Sequence, residues 1–312
     1  MALSRREFLK GIGAGAVGAA LGVRLIYDTV PALAQDVAPA AAFYRTTIGD
    51  FEVTVIRDAV ASVGLNTLAA NADPAEVNEL LAANGFPEGE QPNNFKQLLV
   101  NTGESLVLFD TGLGSPDSQL IPTLALVGVA PEDITHVLLS HWHPDHIGGA
   151  APGGAVAFPN AAYMMPQSEF DLLNSDTANQ GFAGALATLQ PVLDAGQMDF
   201  YNDGDEVLSG ITALTAPGHT PGHHGFLIAS GDRTLLNSVD AIIHPVISVQ
   251  RPDWYYGFDA DPDQAVSTRQ DLLDRAASED LMLFGYHFPF PGIGYVGSTD
   301  EDNTWHFTMG SY

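Results

Sequence analysis

The chain has 312 residues and no cysteine. That absence excludes a disulfide framework, a thiolate zinc cluster, an iron–sulfur centre and a thiol nucleophile. Cations are scarce as well: 11 Lys and Arg stand against 38 Asp and Glu, a formal net charge of −27. Nucleic-acid binding depends on basic side chains that neutralise phosphates, so this balance argues against DNA or RNA as a partner. The apolar run Gly11–Val23 is too short to span a bilayer, and Arg24 and Asp28 interrupt its continuation. What is present is ordinary for a globular protein. At 46% hydrophobic and 16% charged residues, the chain has enough apolar side chains to fill a core.

The first residues read as an address. Ser4-Arg5-Arg6-Glu7-Phe8-Leu9-Lys10 precede the apolar run, and Ala32-Leu33-Ala34 offers a small-x-small cleavage site before Gln35. A charged start, an apolar stretch and such a site compose a signal peptide. The paired arginines resemble the twin-arginine signal, which implies the twin-arginine export machinery as a partner and a periplasmic or secreted product with no membrane anchor. Residues 1–34 are therefore read as signal, 35–42 as a linker and 43–312 as one domain. Removing 1–34 leaves 7 basic against 36 acidic residues, with Lys96 the one remaining lysine. Such a surface stays soluble at high salt.

Within the domain, Phe43–Ile48 and Phe51–Arg57 flank Gly49-Asp50 as a hairpin. Asp73-Pro74 opens a helix that runs to about Ala83 and stops at Asn84-Gly85. Strands are expected at 98–101, 105–109, 134–139, 156–158, 162–165, 198–201, 211–215, 225–229, 234–238 and 281–286. Helices are expected at 117–127, 167–174, 181–194 and 262–277, the last capped by Asp261. Early hairpins followed by strand–helix alternation imply an α/β layered sandwich with sheets inside and helices outside.

The informative stretch is Ser140-His141-Trp142-His143-Pro144-Asp145-His146-Ile147-Gly148-Gly149, which leaves a buried strand. Four metal-competent side chains crowd into six residues. In extended chain His141, His143 and Asp145 share a face, while His146 points elsewhere until a turn brings it to a second site. Burying these donors together without a metal would leave imidazoles and a carboxylate unpaired. His219, Asp240 and His287 each follow a predicted strand, where loops gather a site.

The ordered set His-x-His-x-Asp-His, then His219, Asp240 and His287, resembles the binuclear metallo-β-lactamase superfamily. Asp110-Thr111-Gly112 is similar to that family's early Asp motif, with Asp110 steadying the metal loop. Phe43-Tyr44-Arg45, Leu99-Val100-Asn101-Thr102-Gly103, Gly181-Phe182 and Phe288-Pro289-Phe290-Pro291-Gly292 resemble the branch of methyl parathion hydrolase-like enzymes and N-acyl homoserine lactonases. The resemblance implies a four-layer αβ/βα sandwich and two divalent ions, zinc above all, with manganese, cobalt or iron as alternatives. His141, His143 and His219 would hold one ion, Asp145, His146 and His287 the other, and Asp240 would bridge them. It also implies a homodimer.

Two such ions hold a hydroxide nucleophile at neutral pH and polarise a carbonyl or phosphoryl oxygen. Asp145 can also carry a proton to the leaving group. The substrate expected is a small uncharged ester or lactone, with an organophosphotriester as the alternative; a non-catalytic metal-binding protein of the same fold is the competing class. Phe182, His244 and Phe288 are candidate substrate contacts, and His223 a candidate for orienting a ligand. Trp142 alternates away from its neighbours and is expected in the core.

Overall fold

The computed structural model describes residues 24–25, 41–175, 179–298 and 305–310. Apart from Arg24–Leu25, residues 1–34 lie outside the described residues, and the signal-peptide expectation lies there with them.

Two mixed sheets face each other. The first holds β1 (Arg24–Leu25), β2 (Phe43–Ile48), β3 (Phe51–Val63), β4 (Gln91–Asn101), β5 (Leu106–Phe109), β6 (His136–Leu138), β7 (Ala162–Pro166) and β8 (Met198–Tyr201). Its order is β1-β3-β4-β5-β6-β7-β8, with β2 also paired to β3. The second holds β9 (Glu206–Leu208), β10 (Ile211–Thr215), β11 (His224–Ser230), β12 (Arg233–Val239), β13 (Met282–Gly285), β14 (Ile293–Ser298) and β15 (Trp305–Met309), in the order β15-β14-β13-β12-β11-β10-β9.

Alternation along the strands sorts side chains between layers. Val107 and Phe109 enter the core between the sheets with Ile211, Phe226, Ile228 and Phe284. Leu108, between them, turns outward to Val137, Tyr163 and the helical residues Leu124, Leu173 and Leu189. Those belong to α3 (Leu120–Leu126), α5 (Gln167–Ser175) and α6 (Gln180–Asp194); in chain order α1 (Leu65–Leu68) and α2 (Pro74–Ala83) precede α3, and α4 (Pro144–Ile147) lies between α3 and α5. On the far side, Leu236, Leu283 and Val296 pack under Leu272, Leu273 and Ala276 of α8 (Pro262–Ser278), which follows the short α7 (Ile247–Gln250). The result is the expected αβ/βα sandwich. Caps fall where the sequence puts them: Asp73 accepts from Ala75 N and Asp261 from Gln264 N.

Three expectations are corrected. Residues 156–158 form no strand; Phe158 is buried from a loop that ends at Pro159-Asn160, and its N–H donates to Tyr163 Oη. β4 begins at Gln91, because Asn93, Asn94, Lys96 and Gln97, polar enough to read as loop, are buried in the sheet. β3 continues past Arg57 to Val63 across a register shift at Asp58.

Parallel pairing of β5 with β6 and of β12 with β13 sets their carboxyl ends side by side in each sheet. β10 runs antiparallel to β11, and β11 to β12, so β10 ends on the same edge as β12. Asp110, Ser140–His146, His219, Asp240 and His287 all follow those ends.

Candidate metal centre

All seven expected donors converge. His141, His143, His219 and Asp240 form one group, and Asp145, His146 and His287 another, with ligand atoms in each lying within 4.8 Å of one another. In the first, His141 Nε2 lies 3.0 Å from His143 Nδ1, which lies 2.9 Å from His219 Nε2. Asp240 Oδ2 closes the figure at 3.2 Å from His219 Nε2 and 3.9 Å from His141 Nε2. A tetrahedron of bonds about 2.0–2.1 Å long has edges of roughly 3.4 Å, within that spread. In the second group, His146 Nε2 is 3.6 Å from Asp145 Oδ2 and 3.3 Å from Asp240 Oδ1. His287 Nε2 is 3.7 Å from Asp145 Oδ2 and 3.2 Å from Asp240 Oδ2. Asp240 thus faces both groups.

The donors fit divalent cations on a direct observation. His146 Nε2 and Asp240 Oδ1 are buried without a hydrogen-bond partner, an expensive arrangement unless a cation takes their lone pairs. Charge points the same way. Burial opposes ionisation of Asp240, yet His287, His146 and His219 together hold its carboxyl well below the usual range. Burial and then the neighbouring imidazoles push His141 and His143 down, toward the neutral form that binds metals. His146 and His219 are also penalised by burial, but their carboxylate neighbours outweigh it and raise both, His219 to about 9.

The extended-chain grouping of Asp145 with His141 and His143 does not hold. Pro144 opens α4, and its helical turn carries Asp145 and His146 across to the second group.

Four of the five histidine donors, His141, His146, His219 and His287, have the other ring nitrogen braced, which fixes tautomer and orientation. Asp110 accepts from His146 Nδ1 at 2.8 Å, from Ser140 N at 2.8 Å and from Ser140 Oγ at 2.9 Å; Ser140 Oγ in turn lies 3.0 Å from His141 Nδ1. Asp110 sits at φ +58, a left-handed conformation that Asp tolerates better than most residues. Thr111 adds two bonds to the His146 carbonyl. His287 Nδ1 donates to Asn94 O at 2.9 Å, and His219 Nδ1 to Asp259 Oδ1 at 3.1 Å. His223 Nδ1 donates to Ala216 O, leaving Nε2 to accept the Asp240 N–H at 3.2 Å. Val239, just before Asp240, has φ +46, a strained setting for a β-branched residue.

The other candidates are placed differently. Trp142 is buried as expected, with Phe182 edge-on at 5.3 Å, and both belong to the helix-side core. Phe288 is no substrate wall: it is fully buried, packed edge-on with Phe307 in the core under α8. His244 is buried too, its Nδ1 accepting from Val246 N and Ile247 N, and burial lowers it to about 3.

Glu169, Tyr286 and Arg269 escaped the sequence reading. Glu169 on α5 is fully buried and accepts from Thr220 Oγ1 at 2.7 Å, Gly222 N at 2.8 Å and Trp142 N at 3.2 Å, so it ties together the two loops that carry the first group. Burial pushes it up to about 7. The Tyr286 hydroxyl donates to Asp145 O at 2.6 Å, and its ring lies 4.2 Å from that of His146. Tyr256 is buried with its ring stacked on His219 at 5.9 Å. Arg269 is fully buried on α8. One signal for it was legible: it sits among Ala265, Leu272, Leu273 and Ala276, an apolar stripe at helical spacing.

Known proteins are similar to this chain in fold and sequence. The solved structure of AidC, a dizinc quorum-quenching lactonase in complex with a product, superposes with a TM-score of 0.81 at 28% identity, covering 87% of this chain and 98% of that one. The N-acyl homoserine lactonase AttM of Agrobacterium fabrum is 29% identical over 136 residues, 40% of this chain and 48% of its own length. An atrochrysone carboxyl ACP thioesterase of Cryptosporiopsis sp. is 30% identical over 168 residues, 50% of this chain and 45% of its own. The chain thus spans about half the length of these curated relatives. A profile of the metallo-beta-lactamase superfamily matches residues 97–287, a span that holds all seven donors, and the chain belongs to that superfamily.

Proposed function

We propose that the chain is an exported hydrolase that holds two divalent ions, zinc foremost, and cleaves small uncharged esters and lactones, N-acyl homoserine lactones first among them. The observation that carries this reading is the pair of donor groups sharing Asp240. The likeness to the dizinc lactonase AidC across nearly that whole chain supports it. His141, His143 and His219 would hold one ion and Asp145, His146 and His287 the other. Bound there, the ions would supply a water nucleophile at neutral pH and polarise the acyl oxygen.

The chain's own residues do the rest. Asp145 is the most open donor, its side chain 23% exposed where Asp240 has 4% and His146 none. Its carboxylate takes a proton from the attacking water and returns it to the leaving alkoxide oxygen as the acyl C–O bond breaks, so water is consumed and acid and alcohol are released. Tyr256 and His219, stacked together, form a rigid wall beside the reacting groups. The Arg5-Arg6 start supports delivery through the twin-arginine machinery to the periplasm or medium.

The test is zinc content of protein purified without added metal, followed by kcat/KM for an N-acyl homoserine lactone, a δ-lactone, an aryl ester, an acyl thioester and a phosphotriester. About two ions per chain and a lactone preference of at least about tenfold, roughly 1.4 kcal/mol, are expected. Less than one ion per chain overturns the metal reading and favours a non-catalytic binding protein; a phosphotriester preference overturns the substrate assignment.

A further inference from the structure

Arg269 and Asp259 form an ion pair buried on both sides, with side chains 1% and 0% exposed. Removing two charges from water costs several kcal/mol per ion, and apolar residues of the same size often serve stability as well or better. The pair therefore calls for another reason, and its bonds give one. Arg269 Nε donates to Ala241 O, the residue after Asp240, at 3.0 Å. Its Nη1 donates to Pro252 O and Trp254 O, each at 3.0 Å, and its Nη2 to Asp259 Oδ2 at 3.3 Å. The other oxygen of Asp259 accepts from His219 Nδ1. One planar guanidinium thus holds the chain next to the shared carboxylate, the carboxylate that orients His219, and the segment 252–259 that brings Tyr256 over the His219 ring.

We propose that Arg269, acting through Asp259 and Ala241, is the positioning residue that locks the first cation pocket to the substrate-side segment 252–259. This rests on the metal reading above. The chemistry requires arginine: a lysine offers one point charge and cannot serve four acceptors spread across a plane. Because Asp259 fixes the His219 tautomer with Nε2 toward the pocket, weakening it loosens one ion and leaves the other, whose histidines are braced by Asp110 and Asn94. The same guanidinium ends on the carbonyls of 252 and 254, so the segment that walls the site is ordered by the anchor that orders the ligand.

The experiment loads wild-type, Asp259→Asn and Arg269→Lys proteins with two equivalents of zinc and follows release to a colorimetric chelator, with hydrogen exchange of residues 252–259 recorded in parallel. Leu273→Ala, a core truncation on the same helix, serves as the stability control. In Asp259→Asn one ion is expected to leave about 10–100-fold faster and the other at the wild-type rate; Arg269→Lys, which also frees Ala241 beside the shared Asp240, is expected to speed the same ion more than the other. Arg269→Lys is further expected to speed exchange across 252–259, whereas Leu273→Ala lowers Tm without separating the two ions. Asp259→Asn keeps three of the four Arg269 bonds and so keeps the test decisive if Arg269→Lys does not fold. Release of both ions at wild-type rates from folded Asp259→Asn, or equal acceleration of both, overturns the proposal. Failure of wild-type protein to bind zinc overturns the metal reading instead.

Discussion

His141, His143 and His219 of the first pocket are 0%, 8% and 2% exposed, whereas Asp145 of the second keeps 23% of its side chain open. The bracing differs as sharply. The first pocket is gripped by buried charge: Asp259 on His219, and Glu169 across both of its loops. The second leans on Asp110 for His146 but on a main-chain carbonyl for His287 and a tyrosine hydroxyl for the Asp145 backbone. On the two-ion reading proposed above, an enclosed pocket with charged supports would hold its ion as an anchor, and a more open one with a carboxylate at its mouth would be where substrate and protons pass. Asp240 belongs to both, and it sets the largest test of the comparison. Asp240→Asn removes the charge the pockets share, so both ions loosen together and lactone turnover falls about a thousandfold, roughly 4 kcal/mol. Zinc titration checks it: loss of a single ion with the second unchanged would show that the pockets are independent.

Glu169 sharpens the contrast in the metal-free protein. Its carboxyl is raised from 4.5 to about 7 by burial. An acid raised on folding adds stability that is complete below the unfolded value and is lost as pH climbs through the folded one. Metal-free wild type should therefore lose stability between about pH 4.5 and 7, on the order of 3 kcal/mol from this group, relative to Glu169→Gln. Urea denaturation of both at pH 5 and pH 8 measures the difference; identical pH slopes would mean Glu169 is not desolvated as its surroundings imply.

Asp110→Asn moves the test to the second pocket. His146 loses its charged acceptor directly, while His141 is reached only through Ser140. The second ion should bind about 10–100-fold more weakly and the first should change less. Equal weakening of both would erase the distinction between direct and relayed support.

Much of this site was legible before any fold was known, because donors at strand ends are local in sequence: His141, His143, Asp145 and His146 are packed into six residues. The error there was also local. The extended-chain geometry put Asp145 with His141 and His143, but proline at a first helical position favours α4, and the turn of α4 carries Asp145 to the second group with His146. The supports were not legible. Asp259 lies 40 residues from His219, and Thr220 lies 51 residues from Glu169, so no spacing marks either pair. In β4 the pattern misled outright: Lys96 and Gln97 look solvated, yet both are buried, with side-chain partners supplied by the segment around His287, namely the Phe288 carbonyl and the Tyr286 hydroxyl.

Those buried polar contacts supply the smallest and most discriminating test. Tyr286→Phe keeps the ring beside His146 and deletes only the hydroxyl, which donates to Asp145 O and accepts from Gln97 Nε2. Two buried polar groups then lose one partner each, at a cost of about 1–3 kcal/mol in stability. Because Asp145 is held there by its backbone and not by its carboxylate, its ligand geometry should loosen by less than Asp110→Asn loosens His146. The second ion is expected to weaken by no more than about fivefold, roughly 1 kcal/mol, with the first unmoved. Competition titrations with a zinc chelator resolve such a change. A larger loss, or one shared by both ions, would place Tyr286 among the principal supports of the centre and make the second pocket as firmly built as the first.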